Sequence, residues 1–413
     1  MKNTAAIISF FALFVAGIST WTSQAQAAVW ENTASWNAET EEQYHEWVKD
    51  NWTKDFFNND DYYHGVIMDC AKAVYSMRLI YASEHGLPFV VKDPTGGRGV
   101  ISNDMKRFDR LDQRTRLRDF LLYAYQILST ASLPQDSYPV AITREAIGSG
   151  RMLITDHANH HSWTVKFLSE TGIPFLLFAS RPARTELYER FEFPTQGFIF
   201  PKGIRPETNG GFRNFRKPED ALKPVWEVPG YSLEQYQLTS GGGWGHQMQK
   251  RLQLQQESSA MRISRLLNTS CKNATERATS VRDCSRYLSK IGERCMTSEE
   301  FDDWSTPSKD ARMKGTFEDL SNAYREALRN HAVLSPKLLA QVQSVVDTGV
   351  PGRTHGADYC PVQIFVGGRS MSLGQIYDRS ISGRLSSNPH DTMLMRWGLE
   401  PSPSRRAASC PVY

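Results

Sequence analysis

The stretch His64-Gly-Val-Ile-Met-Asp69-Cys70-Ala-Lys-Ala-Val74-Tyr-Ser-Met77-Arg-Leu-Ile80-Tyr-Ala-Ser-Glu-His85-Gly86-Leu-Pro88 reads as one helix with a cysteine in its first turn. Asp69 is placed to cap it, because a carboxylate there can accept a bond from an unpaired first-turn amide. Gly86 and Pro88 then end the helix. Cys70, Val74, Met77 and Tyr81 recur at helical spacing, so the thiol starts on the face that the helix buries. Unpaired amides and the positive end of the macrodipole surround it, and both favour thiolate over thiol. A cysteine used as a small core hydrophobe fits the same spacing.

Upstream, residues 28–64 are rich in Trp, Asn, Asp and Glu and suggest one or two short helices docked by their aromatics. Residues 1–27 read as a signal peptide: Lys2, the apolar run Ala5 to Ile18, then Ala25-Gln-Ala27 at a cleavage site. That run is too short for a good membrane span, so the expectation is an exported protein, periplasmic or extracellular, with no transmembrane segment after processing. Of 413 residues, 386 would remain, enough for one large domain or two. The 48 basic and 45 acidic residues nearly cancel, which argues against a general nucleic-acid partner. An apolar content of 40% with 10 Trp supports a packed core rather than disorder.

Downstream, the loop Asp93 to Gly99 leads to a helical pattern over Met105 to Leu128, whose arginines alternate with aspartates as on a solvated, ion-paired face. Past the turn-rich Leu133 to Pro139 the texture becomes β. Arg151 to Thr155, Ser162 to Phe167 and Ile173 to Phe178 read as strands at hairpin spacing, with a further short one at Gly197 to Phe200. A helix followed by consecutive strands predicts an α+β domain with a small antiparallel sheet over residues 28–230. Residues 231–413 read as a mainly helical, cysteine-containing region, with tracts at Gln247 to Leu267, Ala274 to Cys295 and Thr316 to Ala332.

Between the first two strands lies Thr155-Asp156-His157-Ala-Asn159-His160-His161-Ser-Trp163. A nucleophilic thiol needs a neighbouring base, and imidazole titrates near neutrality. His161 is the best candidate: it opens a strand, and period-two alternation sets it with Trp163 and Val165 on one face. A polar hairpin loop whose histidines face water is the plainer reading. Asp156, His157, His160 and His161 could also supply zinc ligands, but the strand that follows and the lack of an HExxH pattern make this the lesser alternative. No other cofactor motif stands out.

The order of a helix-borne Asp69-Cys70-Ala71, then Gly150 to Ile154, then a strand opening with His161 resembles papain-like cysteine peptidases of the NlpC-like, cell-wall-degrading group. The resemblance covers roughly residues 60–200. It implies a helix-borne Cys70 packed on a sheet that carries His161, amide hydrolysis in cell-wall peptides, and no cofactor. Ser180 is the candidate for a third, imidazole-orienting group. Ninety residues separate Cys70 from His161, which implies an inserted helical segment. A non-catalytic envelope protein on the same fold, binding through its surfaces, is the alternative.

Six cysteines in an exported chain invite disulfides. Cys70 stands alone, whereas Cys271, Cys284, Cys295, Cys360 and Cys410 cluster in the C-terminal half. Cys70 is expected free and at least one bridge is expected among the others, Cys360 and Cys410 being the suggested pair from their shared Cys-Pro-Val setting. If Ala274 to Cys295 is one helix, Cys284 and Cys295 lie about 16 Å apart along it, too far to pair.

Overall fold

The structure, a computed structural model of the chain, describes residues 28–96, 99–155, 161–179, 182–193, 210–238, 243–347, 359–402 and 410–413. The expected leader and the expected strand at 197–200 lie outside these residues.

The N-terminal aromatics fold as two helices, α1 (Ala38–Asn51) and α2 (Phe56–Asn59). They precede the central helix α3 (Cys70–Glu84), which is capped as its sequence predicts: Asp69 Oδ1 accepts from the Lys72 amide at 3.1 Å. Every residue of α3 from Ala73 to Ala82 is buried, more than one apolar stripe requires. One of them is Arg78. Its guanidinium donates to both carboxylate oxygens of Glu41 at 3.1 and 2.5 Å, and it stacks 3.2 Å from the Trp36 ring centroid. A buried charge held this way locks α1 onto α3.

A small hairpin, β1 (Val90–Lys92) with β2 (Val100–Ser102), and helix α4 (Gln113–Ile127) form the predicted helical insertion. The main sheet follows, from β3 (Ser137–Pro139), β4 (Met152–Thr155), β5 (His161–Leu168), β6 (Pro174–Phe178), β7 (Tyr188–Phe191) and β8 (Gly211–Phe215). Its order is β3-β8-β4-β5-β6-β7, and each neighbouring pair is antiparallel. The three predicted strands are β4, β5 and β6. The short β3, β7 and β8 are additional to these; they lack the apolar runs of β4 and β6 and carry charged, amide or proline residues that weaken an apolar strand pattern.

Alternation divides the sheet into two faces. Met152, Ile154, Leu177 and Phe215 pack with α3, α1 and α4. Leu153, Trp163, Val165, Leu176, Phe178 and Phe212 pack on the opposite side with Trp244, Met248 and Leu252 of α5 (Trp244–Leu252). The turn between β5 and β6 touches α5 closely. Gly172 there has φ +76°, and a Cβ on it would lie 2.5 Å from the Gln249 carbonyl oxygen and 2.7 Å from the Gln253 amide.

The C-terminal region is mainly helical. It holds α6 (Ser259–Ile291), α7 (Ser298–Trp304), α8 (Pro307–Arg329), α9 (Pro336–Val346), α10 (Leu373–Ile381) and α11 (Met393–Arg396), with a two-residue hairpin of β9 (Val362–Gln363) and β10 (Ser370–Met371). The predicted tracts at 247–267 and 274–295 are divided differently. The break falls at 253–258, and Ser258 then caps one 33-residue helix. Its apolar stripe, Ile263, Leu267, Ala274, Ala278 and Val281, packs on α8 through Met313, Phe317, Leu320 and Tyr324.

Two disulfides staple this region, Cys271–Cys360 and Cys295–Cys410. The suggested Cys360–Cys410 pair is therefore incorrect. Local sequence likeness says nothing of proximity; each cysteine instead meets one presented by α6 or the loop just beyond it. Cys70 and Cys284 are free, and Cys284 is buried. Among the described residues no helix is long and apolar enough to cross a membrane.

Candidate functional site

Cys70 occupies the first turn of α3 and is half-buried. Its Sγ lies 3.2 Å from the Thr130 hydroxyl, which the chain after α4 supplies. Asp69, besides capping, pairs with Lys72 Nζ at 3.1 Å. The cap takes up the Lys72 amide and the Asp69 carbonyl takes the Ala73 amide. The Cys70 and Ala71 amides, which precede the first helical bond, have no hydrogen-bond partner among the described residues.

His161 opens β5, as its sequence predicts, and shares a face with Trp163 and Val165. The ring makes edge contacts with Trp163 and Phe178, at centroid distances of 4.6 and 5.2 Å. That is the α5 face of the sheet; α3 covers the other one. The neighbouring Ser162 and Thr164 point to the α3 side, where their buried hydroxyls have no hydrogen-bond partner among the described residues. Burial first, then the charges of Arg312, Arg190 and Lys309, push the His161 pKa down to about 3. The imidazole is thus neutral at pH 7, where the sequence suggested one that titrates near neutrality.

The two residues nevertheless share one end of the sheet. Met68, two residues before Cys70, bridges to Arg184 in the segment that follows β6. Antiparallel pairing of Thr164 with Leu177 sets the end of β6 beside the start of β5. Both Cys70 and His161 line a cavity of about 1460 Å³ between the sheet and the C-terminal helices. Cys70 enters it from the α3 layer and His161 from the opposite face.

The cavity holds charges that sequence reading missed. Arg190 of β7 is 3% exposed and grips Glu276 of α6 through both guanidinium nitrogens, one of them at 2.6 Å, with Glu192 3.7 Å from its Nε. Lys309 and Arg312 of α8 line the same space. Burial and the Arg312 charge bring the Lys309 pKa down to about 8, and burial with Arg190 brings Arg312 to about 10. The expected helical tract starts at Thr316, so Lys309 and Arg312 lie before it and carry no local signal; α8 in fact begins at Pro307.

Asp156, His157, His160 and Ser180 lie outside the described residues, and with them three of the four suggested zinc ligands. Among the described residues no group of three or more His, Cys, Asp or Glu is placed to hold a metal ion. Compared with protein-family models, curated proteins and solved structures, the chain matches none.

Proposed function

We propose that the protein is an exported, thiol-dependent hydrolase that cleaves amide bonds in peptides, with those of the cell wall as its substrates. Cys70 is the nucleophile and His161 the proton carrier. The observation that carries this reading is a free, partly exposed thiol on a helix first turn, opening onto a cavity large enough for a peptide. The neutral imidazole takes the thiol proton as sulfur attacks the carbonyl, and passes it to the departing amine. Water then cleaves the thioester and regenerates the thiol. The open Cys70 and Ala71 amides are placed to stabilise the oxyanion, roughly 3 kcal/mol per donor. Specificity for cell-wall peptides rests on the resemblance to NlpC-like enzymes.

The setting of His161 favours a second reading, a peptide-binding protein without a catalytic dyad, because its ring is packed among aromatics on the face away from α3. Iodoacetamide alkylation followed against pH separates the two. A dyad makes Cys70 react rapidly at neutral pH and makes His161→Ala slow it. If Cys70 reacts no faster than an ordinary thiol, and His161→Ala changes nothing, the binding reading replaces the enzymatic one.

A further inference from the structure

The cavity wall opposite the sheet is the start of α8, and its hydrogen bonding is incomplete. Thr306 stands at the N-cap position, but its hydroxyl does not cap. It donates to Asp310 Oδ2 at 2.9 Å and accepts from Arg396 Nη2 at 3.0 Å. Pro307 has no amide hydrogen. The amides of Ser308 and Lys309 are then left with no hydrogen-bond partner among the described residues, while Asp310 bonds back to the Thr306 carbonyl. Both Ser308 and Lys309 line the cavity.

The side chains add charge at the same place. Among the described residues neither Lys309 nor Arg312 makes an ion pair within 4 Å or a side-chain hydrogen bond, whereas Arg190 beside them is hydrogen-bonded to Glu276 and ion-paired with Glu192. Two cations and the open end of a 23-residue helix converge on one cavity without a counter-charge in contact. Glu192 and Glu276 act on Arg312 only from beyond ion-pair distance, and an anion bound beside the two cations supplies the contact they lack. Half-buried Tyr188 lines the same cavity beside the nearly covered Trp163 and Phe178, so the group that fits is an anion with an apolar neighbour.

We infer that Lys309, Arg312 and the first-turn amides of α8 form a subsite for a peptide's carboxylate, with the neighbouring apolar part of the peptide against Tyr188. A guanidinium matches a carboxylate's planar pair of oxygens, and Tyr188 gives a peptide a contact that a free inorganic anion lacks. This deepens the proposed hydrolytic reading by naming what the substrate carries, but binding at this subsite does not require Cys70.

The test is calorimetric titration of the full chain and of Cys70→Ala with three probes: N-acetyl-Ala-Phe bearing a free carboxylate, its C-terminal amide, and inorganic phosphate. The acid should bind both proteins alike, and the amide roughly tenfold more weakly, as expected for loss of a charge-assisted bond. Lys309→Gln/Arg312→Gln should weaken the acid by at least that factor while leaving the amide unchanged. Arg312→Lys guards against misfolding of the double variant and should retain part of the affinity. Equal binding of acid and amide, no binding of the acid at millimolar concentration, or phosphate binding in place of the acid would overturn the assignment. Loss of hydrolysis in Cys70→Ala with the acid still bound keeps the subsite independent of the catalytic reading.

Discussion

At the scale of single residues, burial decides which groups titrate where. Asp136 shows this away from the cavity. It is 4% exposed, accepts the Tyr75 hydroxyl at 2.5 Å and the Lys92 amide at 2.7 Å, and burial pushes its pKa up from 3.8 to about 7. Between those values the folded chain holds a proton that the unfolded chain has lost. Stability from this group is therefore complete below about pH 4 and falls as pH rises toward 7. Asn at this position cannot ionise; its one amide oxygen accepts from the Lys92 amide, and its NH2 faces the Tyr75 hydroxyl, which can accept while bonding Ser132. The difference in melting temperature between Asp136→Asn and the parent chain should therefore move in favour of the variant from pH 5 to pH 8. A difference that does not vary with pH would show that Asp136 ionises freely in the folded protein. Glu84, also raised to about 7 by burial, is unchanged by the substitution and cancels in that comparison.

At the scale of elements, local chemistry made part of the fold legible. Asp69, Gly86 and Pro88 delimit α3, and the alternation of His161, Trp163 and Val165 sets one face of β5. The faces themselves were not legible. Alternation in Ser162 to Phe167 sets Trp163, Val165 and Phe167 against Ser162, Thr164 and Lys166, but it does not say that α5 covers the Trp163 side and α3 the Ser162 side. The disulfide partners were hidden for a similar reason: sequence separations of 89 and 115 residues are closed by helix packing, not by local pattern. The Gly172 turn could be read from sequence, yet its role could not, since only the fold brings the α5 backbone against it. Gly172→Ala combines a positive φ with a backbone clash and should cost about 2 kcal/mol or more. Urea unfolding should show a lower midpoint with an unchanged slope. An unchanged midpoint would mean that α5 does not seat firmly on the β5–β6 turn.

At the scale of the whole molecule, the cavity is assembled by two regions that contribute different chemistry. The α+β layer brings Cys70, His161 and the aromatic face, while the C-terminal helices bring Lys309 and Arg312. Arg190–Glu276, Arg184–Asp283 at 2.7 Å and Lys272–Glu189 at 2.9 Å join the two across the boundary. This division explains why the sequence exposed Cys70 and His161 but not the cations. The first pair sits beside caps and strand ends that leave local signatures, whereas Lys309 and Arg312 gain meaning only when α8 docks opposite the sheet. The central claim is that Cys70 performs covalent chemistry in this cavity. It is tested most directly by incubating the protein with cell-wall peptides, quenching in acid and mapping Cys70 by mass spectrometry. The account predicts a transient acyl adduct on Cys70, together with peptide cleavage that Cys70→Ala abolishes. Cleavage that persists in Cys70→Ala, or a chain that binds the peptides without adduct or cleavage, would contradict it.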